Sequence, residues 1–242
     1  MFFTRIPCPK WVDHSDEYLN KASMYFPLIG WIVGGFSALI FWASKFIFPV
    51  SMSIIFSMIA SILMTGAFHE DGFADVCDGF GGGWTKEKIL EIMKDSRIGA
   101  YGVIGMILML GTKFAVLNQI SAQFIPAALI AGHSISRFAS TTIIFTHSYV
   151  RENEDSKAKP LAKKMTFAQL VVSAIFGLLP LTLFASYIFL LIIIPVFLAR
   201  WYMIHYFVKW IGGYTGDCLG TVQQVCEIVF YIFVCLIIWK FI

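Results

Sequence analysis

Three aspartates in the segment His69–Gly83 have the spacing of a metal-binding helix face. An apolar helix begins near Val50, and we expect it to continue through this segment. Asp71, Asp75 and Asp78 then lie at positions i, i+4 and i+7 and share one face. Stacked carboxylates repel one another, and oxygen ligands without histidine or cysteine favour Mg²⁺, Mn²⁺ or Ca²⁺ over zinc. The spacing predicts a metal-dependent site for a phosphorylated substrate; a loop of solvated acids is the alternative.

Charged side chains elsewhere could complete such a site. Arg137, with His133 one turn away, and Arg200 both lie within apolar runs. Charge is costly in lipid, so each arginine should face the bundle interior or a watery cavity and bind phosphate oxygens there; snorkelling and an internal salt bridge are the alternatives. We expect Lys113, in the outer part of its run, to snorkel to the interface. Asp217, between glycines, is compatible with a metal ligand, a substrate contact or a turn residue.

The elements that must position these residues are membrane-spanning helices. Of 242 residues, 58% are hydrophobic and 14% are charged, whereas a soluble domain is about half apolar and about a quarter charged. We predict an all-α, polytopic membrane bundle, a single domain over residues 1–242, with a short amphipathic helix at the interface over Thr85–Ser96. Seven runs are near the ~20 residues that span the hydrocarbon core: Tyr25–Phe48, Val50–Phe68, Gly102–Asn118, Phe124–Thr146, Phe167–Ser186, Tyr187–Val208 and Thr221–Ile242.

Basic residues are concentrated on one side of this predicted topology. The N-terminal arm, the stretch from the acidic segment through the interfacial helix to Arg97, the solvated loop at 151–164 and the loop with Asp217 hold 13 of the 18 Lys and Arg residues. The positive-inside rule makes this side cytoplasmic. We therefore expect a multi-pass protein of the cell (cytoplasmic or inner) membrane, in contact with the lipid bilayer, whose site faces the cytoplasm and whose C-terminus is external. The formal charge of +3 does not indicate nucleic acid, and a homo-oligomer is compatible with the sequence.

Six segments, spread over nearly the whole chain, carry specific motifs. The most specific is the string His-x-Asp-Gly-x-x-Asp-x-x-Asp-Gly, followed by Asp-Ser-Arg-x-Gly. The six segments are Thr4–Pro7, Tyr25–Gly30, His69–Gly79, Met93–Gly99, Ser136–Arg137 and Gly213–Gly220. Together they resemble one family of membrane enzymes, the adenosylcobinamide-GDP ribazoletransferase (cobalamin synthase) family.

The resemblance implies a reaction and a set of residues. α-Ribazole, or its 5′-phosphate, attacks the phosphate attached to cobinamide in adenosylcobinamide-GDP with the help of Mg²⁺, releasing GMP and forming adenosylcobalamin or its 5′-phosphate. The three spaced aspartates would hold Mg²⁺, with Glu70 as a further metal ligand, and His69 is the nearest imidazole in sequence for proton transfer. The residues assigned to substrate binding are Asp95, Arg97, Arg137, Arg200, Tyr214, Thr215 and Asp217.

Two other functions compete with this one. A lipid-headgroup transferase of the CDP-alcohol type also uses spaced aspartates at a membrane face. Its Asp-Gly-x-x-Ala-Arg string is not present here, because Ala74 is followed by Asp75. A non-enzymatic cation transporter would place its acids nearer the membrane midplane, in discontinuous helices.

Overall fold

The computed structural model describes residues 4–7, 21–151 and 165–241, and these residues form helices and loops without a β-strand. The predicted all-α bundle is thereby confirmed. Short 3₁₀ segments follow α7 and precede α8. The helices are α1 Phe26–Ser44, α2 Val50–Thr65, α3 Phe68–Gly82, α4 Lys86–Ile92, α5 Ala100–Leu117, α6 Ile125–Thr146, α7 Phe167–Leu178, α8 Ile193–Ile211 and α9 Gly216–Phe241.

Among the described residues, five helical segments are long and apolar enough to cross a membrane, and α2 with α3 makes a sixth only if the two are taken together. The remaining predicted span corresponds to α6, which is 22 residues long but carries several serine and threonine hydroxyl groups and Arg137. The protein is therefore a multi-pass membrane protein by length and composition. The five segments are Ser23–Ser44, Ala100–Leu117, Phe167–Phe184, Tyr187–Ile211 and Gly216–Phe241.

The expected continuation of the helix from Val50 through the acidic segment is wrong. α2 ends at Thr65, and α3 leaves it at an angle of 88°. Gly66 and Ala67 both adopt left-handed backbone conformations, with φ of 70° and 59°. Glycine takes this conformation without a Cβ clash, and the pair ends the α2 hydrogen-bond ladder. The acids consequently lie on a separate short helix, turned through nearly a right angle from the preceding span.

Helix α6 occupies the centre of the bundle, where it contacts α1, α7, α8 and α9. Gly30 and Gly34 of α1 face the α6 backbone near His133 and Ile130, and a Cβ at either glycine would collide with it. Small residues four apart let two helices approach closely in a membrane. Because α6 is enclosed by protein, its serine and arginine side chains and all of its threonines except Thr146 are buried.

The predicted amphipathic helix over Thr85–Ser96 is present as α4, Lys86–Ile92. The side chain of Thr85 caps it by accepting the backbone N–H of Lys88 at 3.3 Å, as expected at a helix start. Most of the N-terminal arm and of the basic loop at 151–164 lies outside the described residues. The described cysteines, Cys77, Cys218, Cys226 and Cys235, are free thiols.

Candidate active site

The three spaced aspartates lie on one helix, as their sequence spacing predicts. α3 is continuous from Phe68 to Gly82, so Asp71, Asp75 and Asp78 follow one another along one face. Their exposure decreases along the helix: Asp71 is exposed, Asp75 is partly buried and Asp78 is buried. The face therefore opens to solvent at Asp71 and closes at Asp78.

Asp217 lies next to this acidic face because α3 packs closely on the start of α9. Gly72 contacts the Asp217 backbone, and a Cβ at Gly72 would lie 2.9 Å from the Asp217 Cα. The Thr221 hydroxyl donates to the Gly72 carbonyl oxygen at 3.2 Å. Asp217 and Asp71 are the two charged groups that act most strongly on Asp75. The carboxylates of Asp71, Asp75 and Asp217, on two helices, therefore interact electrostatically with one another.

Arg151 is the cation that faces these carboxylates. Its Nη2 lies 3.0 Å from Asp217 Oδ2, and it also acts on Asp75. Both members of the Arg151–Asp217 pair are partly buried, so solvent screens this pair less than it would a surface pair. Arg151 therefore offsets part of the negative charge. It was not among the residues singled out from sequence, since it begins a lysine-rich loop that reads as solvated.

Asp78 has a different task from the other two aspartates of the row. Its Oδ2 accepts the Gly99 N–H at 2.7 Å, and its Oδ1 accepts the Gly102 N–H at 2.8 Å. A Cβ at either glycine would collide with this carboxylate. Asp78 therefore satisfies N–H groups at the start of α5, which have no partner within that helix. It ties the loop before α5 to α3.

The carboxylates of α3 and Asp217 can be compared with the ligands that Mg²⁺ requires. Among the described residues, no three His, Cys, Asp or Glu side chains converge closely enough to hold a metal ion. Mg²⁺ commonly binds through one or two carboxylates and takes its remaining ligands from water and substrate phosphates. Asp71, Asp75 and Asp217 supply hard carboxylate oxygens of this kind on adjoining helices. These residues fit a Mg²⁺ ion shared with a phosphorylated substrate.

His69 and Glu70 face the interior of the bundle instead of the acidic face. His69 is 1% exposed, and its ring stacks on Phe26 with centroids 5.7 Å apart. Glu70 is 5% exposed, and its Oε1 accepts the side-chain amide of Gln224 at 2.9 Å. The structure therefore does not bring these two predicted site residues together with the spaced aspartates.

Arg137 faces the bundle interior, as predicted. Its Nη1 donates to the His133 carbonyl oxygen at 2.9 Å, and its guanidinium lies 5.5 Å from the centre of the Phe26 ring. Within the described part of the chain it forms no ion pair with an acid. At 1% exposure, Arg137 is enclosed by protein and separated from solvent.

The expectation that Lys113 snorkels to the interface is wrong. Lys113 is 2% exposed and its Nζ lies 2.5 Å from Oε1 of Glu227, which is fully buried in the middle of α9. Because a buried carboxylate compensates the charge of the lysine, the ammonium group does not need to contact water. Sequence reasoning overlooked Glu227, although an acid within an apolar span is itself a signal of an internal partner.

Arg200 joins α8 to the end of α6. Its Nε donates to Thr142 Oγ1 at 3.0 Å, and its Nη2 donates to the Thr142 carbonyl oxygen at 3.1 Å and to Thr146 Oγ1 at 2.6 Å. A cation beside the last carbonyls of a helix is favourably placed. Among the residues that the structure describes, the partners of Arg200 are hydroxyl and carbonyl oxygens.

Asp95 and Arg97 lie on the loop that Asp78 anchors. Arg97 Nη2 is 2.7 Å from Asp95 Oδ2, and Arg97 Nε is 3.1 Å from Asp95 Oδ1. Hydrogen bonds from Arg97 lower the pKa of Asp95 to about 2, so this carboxylate is ionised at physiological pH. The Arg97 side chain is 87% exposed and borders an open pocket with Lys94 and Tyr101. Arg97 is the most exposed of the three predicted arginines, since Arg200 is partly buried and Arg137 is buried.

Tyr214 and Thr215 shape the turn that carries Asp217. Tyr214 is fully buried, packs edge-on against Tyr149 at 5.6 Å and donates its backbone N–H to the Ser148 carbonyl oxygen at 3.2 Å. Thr215 Oγ1 accepts the Cys218 N–H at 3.3 Å, which caps the start of α9. These two predicted substrate residues are positioned to hold the Asp217 turn against residues 148–150.

Comparison with known proteins agrees with the sequence motifs. The family model described as cobalamin-5-phosphate synthase matches residues 1–235. Among its relatives are proteins named adenosylcobinamide-GDP ribazoletransferase from Shewanella amazonensis, 47% identical over 99% of this chain and 93% of the relative, and from Shewanella woodyi, 46% identical over 96% and 91%. The protein of that name from Shewanella oneidensis is 45% identical over 98% of this chain and 91% of its own length. No solved structure matches.

These similarities cover nearly the full length of this chain and of each relative. The resemblance seen in the motifs is therefore confirmed, as is the prediction that the protein is an enzyme of that kind. The chain belongs to the cobalamin-5-phosphate synthase family.

Proposed function

We propose that this protein joins α-ribazole, or its 5′-phosphate, to adenosylcobinamide-GDP and releases GMP, forming adenosylcobalamin or its 5′-phosphate. The observation that carries this proposal is the near full-length identity of 45–47% to proteins named adenosylcobinamide-GDP ribazoletransferase. The acidic face of α3 beside Asp217 supports it, because transfer from a diphosphate requires neutralisation of phosphate charge.

The reaction is a phosphoryl transfer with a simple balance of bonds. A hydroxyl oxygen of the ribazole forms a bond to the phosphorus atom attached to cobinamide. The bond from that phosphorus to the oxygen bridging it to GMP breaks, GMP leaves with the bridging oxygen, and the hydroxyl proton is released. Mg²⁺, when bound, neutralises the diphosphate charge and stabilises the leaving phosphate.

We assign metal binding to one set of the described residues and substrate binding to another. One or two of the carboxylates of Asp71, Asp75 and Asp217 would hold the metal ion, with water and substrate phosphates as its remaining ligands. Asp78 fixes the loop before α5, which presents Arg97 to the phosphate oxygens of the GDP group. Asp95 binds the Nε–Nη2 edge of Arg97 and so orients the guanidinium, whose remaining N–H groups would donate to phosphate oxygens. The buried positions of Arg137, His69 and Glu70 favour support of the bundle over contact with a soluble substrate, and Arg200, which is partly buried, is engaged by Thr142 and Thr146.

We place the acidic face on the cytoplasmic side of the cell membrane. The concentration of basic residues in the same loops supports this orientation through the positive-inside rule. A cytoplasmic opening also gives soluble nucleotide-linked substrates direct access. The long apolar helices keep the protein in the bilayer, with the acidic helix α3 at the end of the second span.

Purified protein tests this function against its two competitors. We expect GMP release that requires adenosylcobinamide-GDP, α-ribazole and Mg²⁺ together. A lipid-headgroup transferase would instead release CMP from a CDP-alcohol in the presence of a lipid acceptor. A transporter would move a cation across a vesicle membrane without consuming nucleotide. Absence of GMP release by folded protein in the complete mixture would refute the proposal.

A further inference from the structure

A cluster of buried polar side chains lies inside the bundle, and the transfer reaction proposed above does not use it. Its centre is Glu227, which is 0% exposed. Lys113 Nζ lies 2.5 Å from Glu227 Oε1, and the Tyr231 hydroxyl donates to the same oxygen at 2.9 Å. The Gln223 amide donates to Oε2 at 2.5 Å, and His133 Nδ1 lies 3.2 Å from that oxygen. Three helices, α5, α6 and α9, therefore meet at one carboxylate.

The cluster reaches the acidic helix through its first turn. Gln224, next to Gln223 on α9, donates to Glu70 Oε1 at 2.9 Å. His69 precedes Glu70 on α3, and its ring stacks on the ring of Phe26. The Phe26 ring also contacts the Arg137 guanidinium. We use the name polar core for the buried polar side chains that extend from Lys113 and Glu227 at one end to His69 and Glu70 at the other.

Six side chains of the polar core carry buried atoms that have no hydrogen-bond partner among the described residues. Each of these side chains belongs to a residue that is 5% exposed or less. A buried polar atom left unpaired is destabilising, and folded proteins rarely leave one. The atoms are Nδ1 and Nε2 of His69, Oε2 of Glu70, Nε2 of His133, Nε of Arg137, and Oε1 of Gln223 and of Gln224.

The chemistry of these atoms identifies the kind of ligand that satisfies them. The Arg137 Nε can only donate, whereas the two glutamine oxygens can only accept and Glu70 Oε2 accepts when the carboxyl is ionised. A cation would leave the donors unpaired, and an anion would leave the acceptors unpaired. Water both donates and accepts, and a buried water molecule typically makes about three hydrogen bonds. Water therefore fits the mixed set.

We propose that internal water molecules occupy the polar core and complete a hydrogen-bond network from Arg137 and His69 to Glu70, and that this network fixes the rotation of α3. Asp71 directly follows Glu70 in the helix. A turn of α3 about its axis would move the aspartate face relative to Asp217, so Glu70 is a positioning residue. This second half of the proposal rests on the proposed transfer function.

The water itself is tested without any activity measurement. Ionising radiation converts bound water to hydroxyl radicals, which oxidise side chains beside it even when these are buried. We would irradiate the full-length protein in lipid nanodiscs and measure oxidation of Tyr231 and His133, normalised to the reactivity of each residue type. Phe41 and Phe189, 1% and 0% exposed in the apolar core, are the controls. Severalfold faster oxidation of Tyr231 and His133 is expected; rates equal to those of the controls would overturn the proposal.

The positioning role is tested by exchanging the two ends of one hydrogen bond. Glu70→Gln removes the buried charge, and Gln224→Glu places two carboxylates together, so each single variant should lower kcat by about tenfold with little change in KM. The double variant restores an amide and a carboxylate to the same pair of positions, and kcat should recover. No recovery, as a metal ligand at position 70 predicts, would overturn the positioning role. Wild-type protein that releases no GMP would refute the proposed function and leave the oxidation result intact.

Discussion

The aspartates of α3 show how residues with the same spacing take different tasks. Asp75 lies among other carboxylates, whereas both oxygens of Asp78 accept backbone N–H groups of the loop before α5. The helical spacing of these residues could be predicted because it is a local property of the chain. The partners of Asp78 are 21 and 24 residues away, and the spacing alone does not identify them.

Asp78→Asn tests this division of tasks. The amide nitrogen that replaces one oxygen cannot accept an N–H, so the start of α5 should lose stability by about 1–3 kcal/mol. We would measure the thermal midpoint in detergent and the Mg²⁺ concentration that gives half-maximal GMP release. Glu91→Gln is the matched control, because Glu91 is exposed and pairs with the exposed Lys88 within the described part of the chain. An unchanged midpoint with a large change in the Mg²⁺ requirement would instead make Asp78 a metal ligand.

The ion pair between Lys113 and Glu227 makes a second prediction at this scale. Lys113→Met leaves an unpaired buried carboxylate, which should destabilise the protein by about 3–5 kcal/mol. Replacing both residues by methionine removes the unpaired charge, so the double variant should unfold at a midpoint closer to wild type. A double variant less stable than Lys113→Met would contradict the pairing. Both midpoints are measured in the same detergent.

At the scale of helices, the left-handed pair Gly66 and Ala67 separates the acidic helix from the preceding span. This break is difficult to predict from the sequence, because alanine is a good helix former and Gly66 lies between two helical stretches. Buried arginine positions were easier to predict, because a charge within an apolar helix must face away from lipid. Which acid pairs with which cation depends on helix neighbours, and the pattern along one helix does not contain that information.

The contact between α3 and α9 predicts the effect of a single methyl group. In Gly72→Ala the new Cβ would lie 2.9 Å from the Asp217 Cα, so the two helices must separate. Because a misplacement of about 1 Å can cost about 10²-fold in rate, kcat for GMP release should fall by a similar factor. Gly82→Ala on the same helix is the control, since its Cβ would lie 3.4 Å from a flexible isoleucine end. Equal activity of the two variants would show that this contact does not set the site.

At the scale of the whole molecule, the seven predicted passes place the N-terminus and the C-terminus on opposite sides of the membrane. Five of them match long apolar helices, one matches the bent pair α2 and α3, and α6 provides the polar centre. Composition predicted the class of fold well, because a chain this apolar must bury its backbone polar groups in helices. It could not distinguish α6 as the enclosed helix.

A reporter that is active only in the cytoplasm tests the orientation. Fused to the C-terminus after Ile242, it should be inactive, and fused to the N-terminus it should be active. The reason is the accumulation of basic residues on the side of the acidic loops. Activity at both ends would require an even number of passes. Activity at the C-terminus alone would invert the molecule and place the acidic face outside the cell.

The most direct test of the central claim compares Asp75→Asn with wild type in GMP release, with Mg²⁺ and with a chelator. The amide is nearly isosteric but lacks the charge that holds a cation, so turnover should fall by about 10³-fold through loss of several kcal/mol of charge stabilisation. The thermal midpoint should stay the same or rise, because repulsion from Asp71 and Asp217 is relieved. Wild-type turnover should vanish with chelator. Near-normal turnover of Asp75→Asn, or wild-type turnover indifferent to chelator, would contradict a metal-dependent phosphoryl transfer at the acidic face.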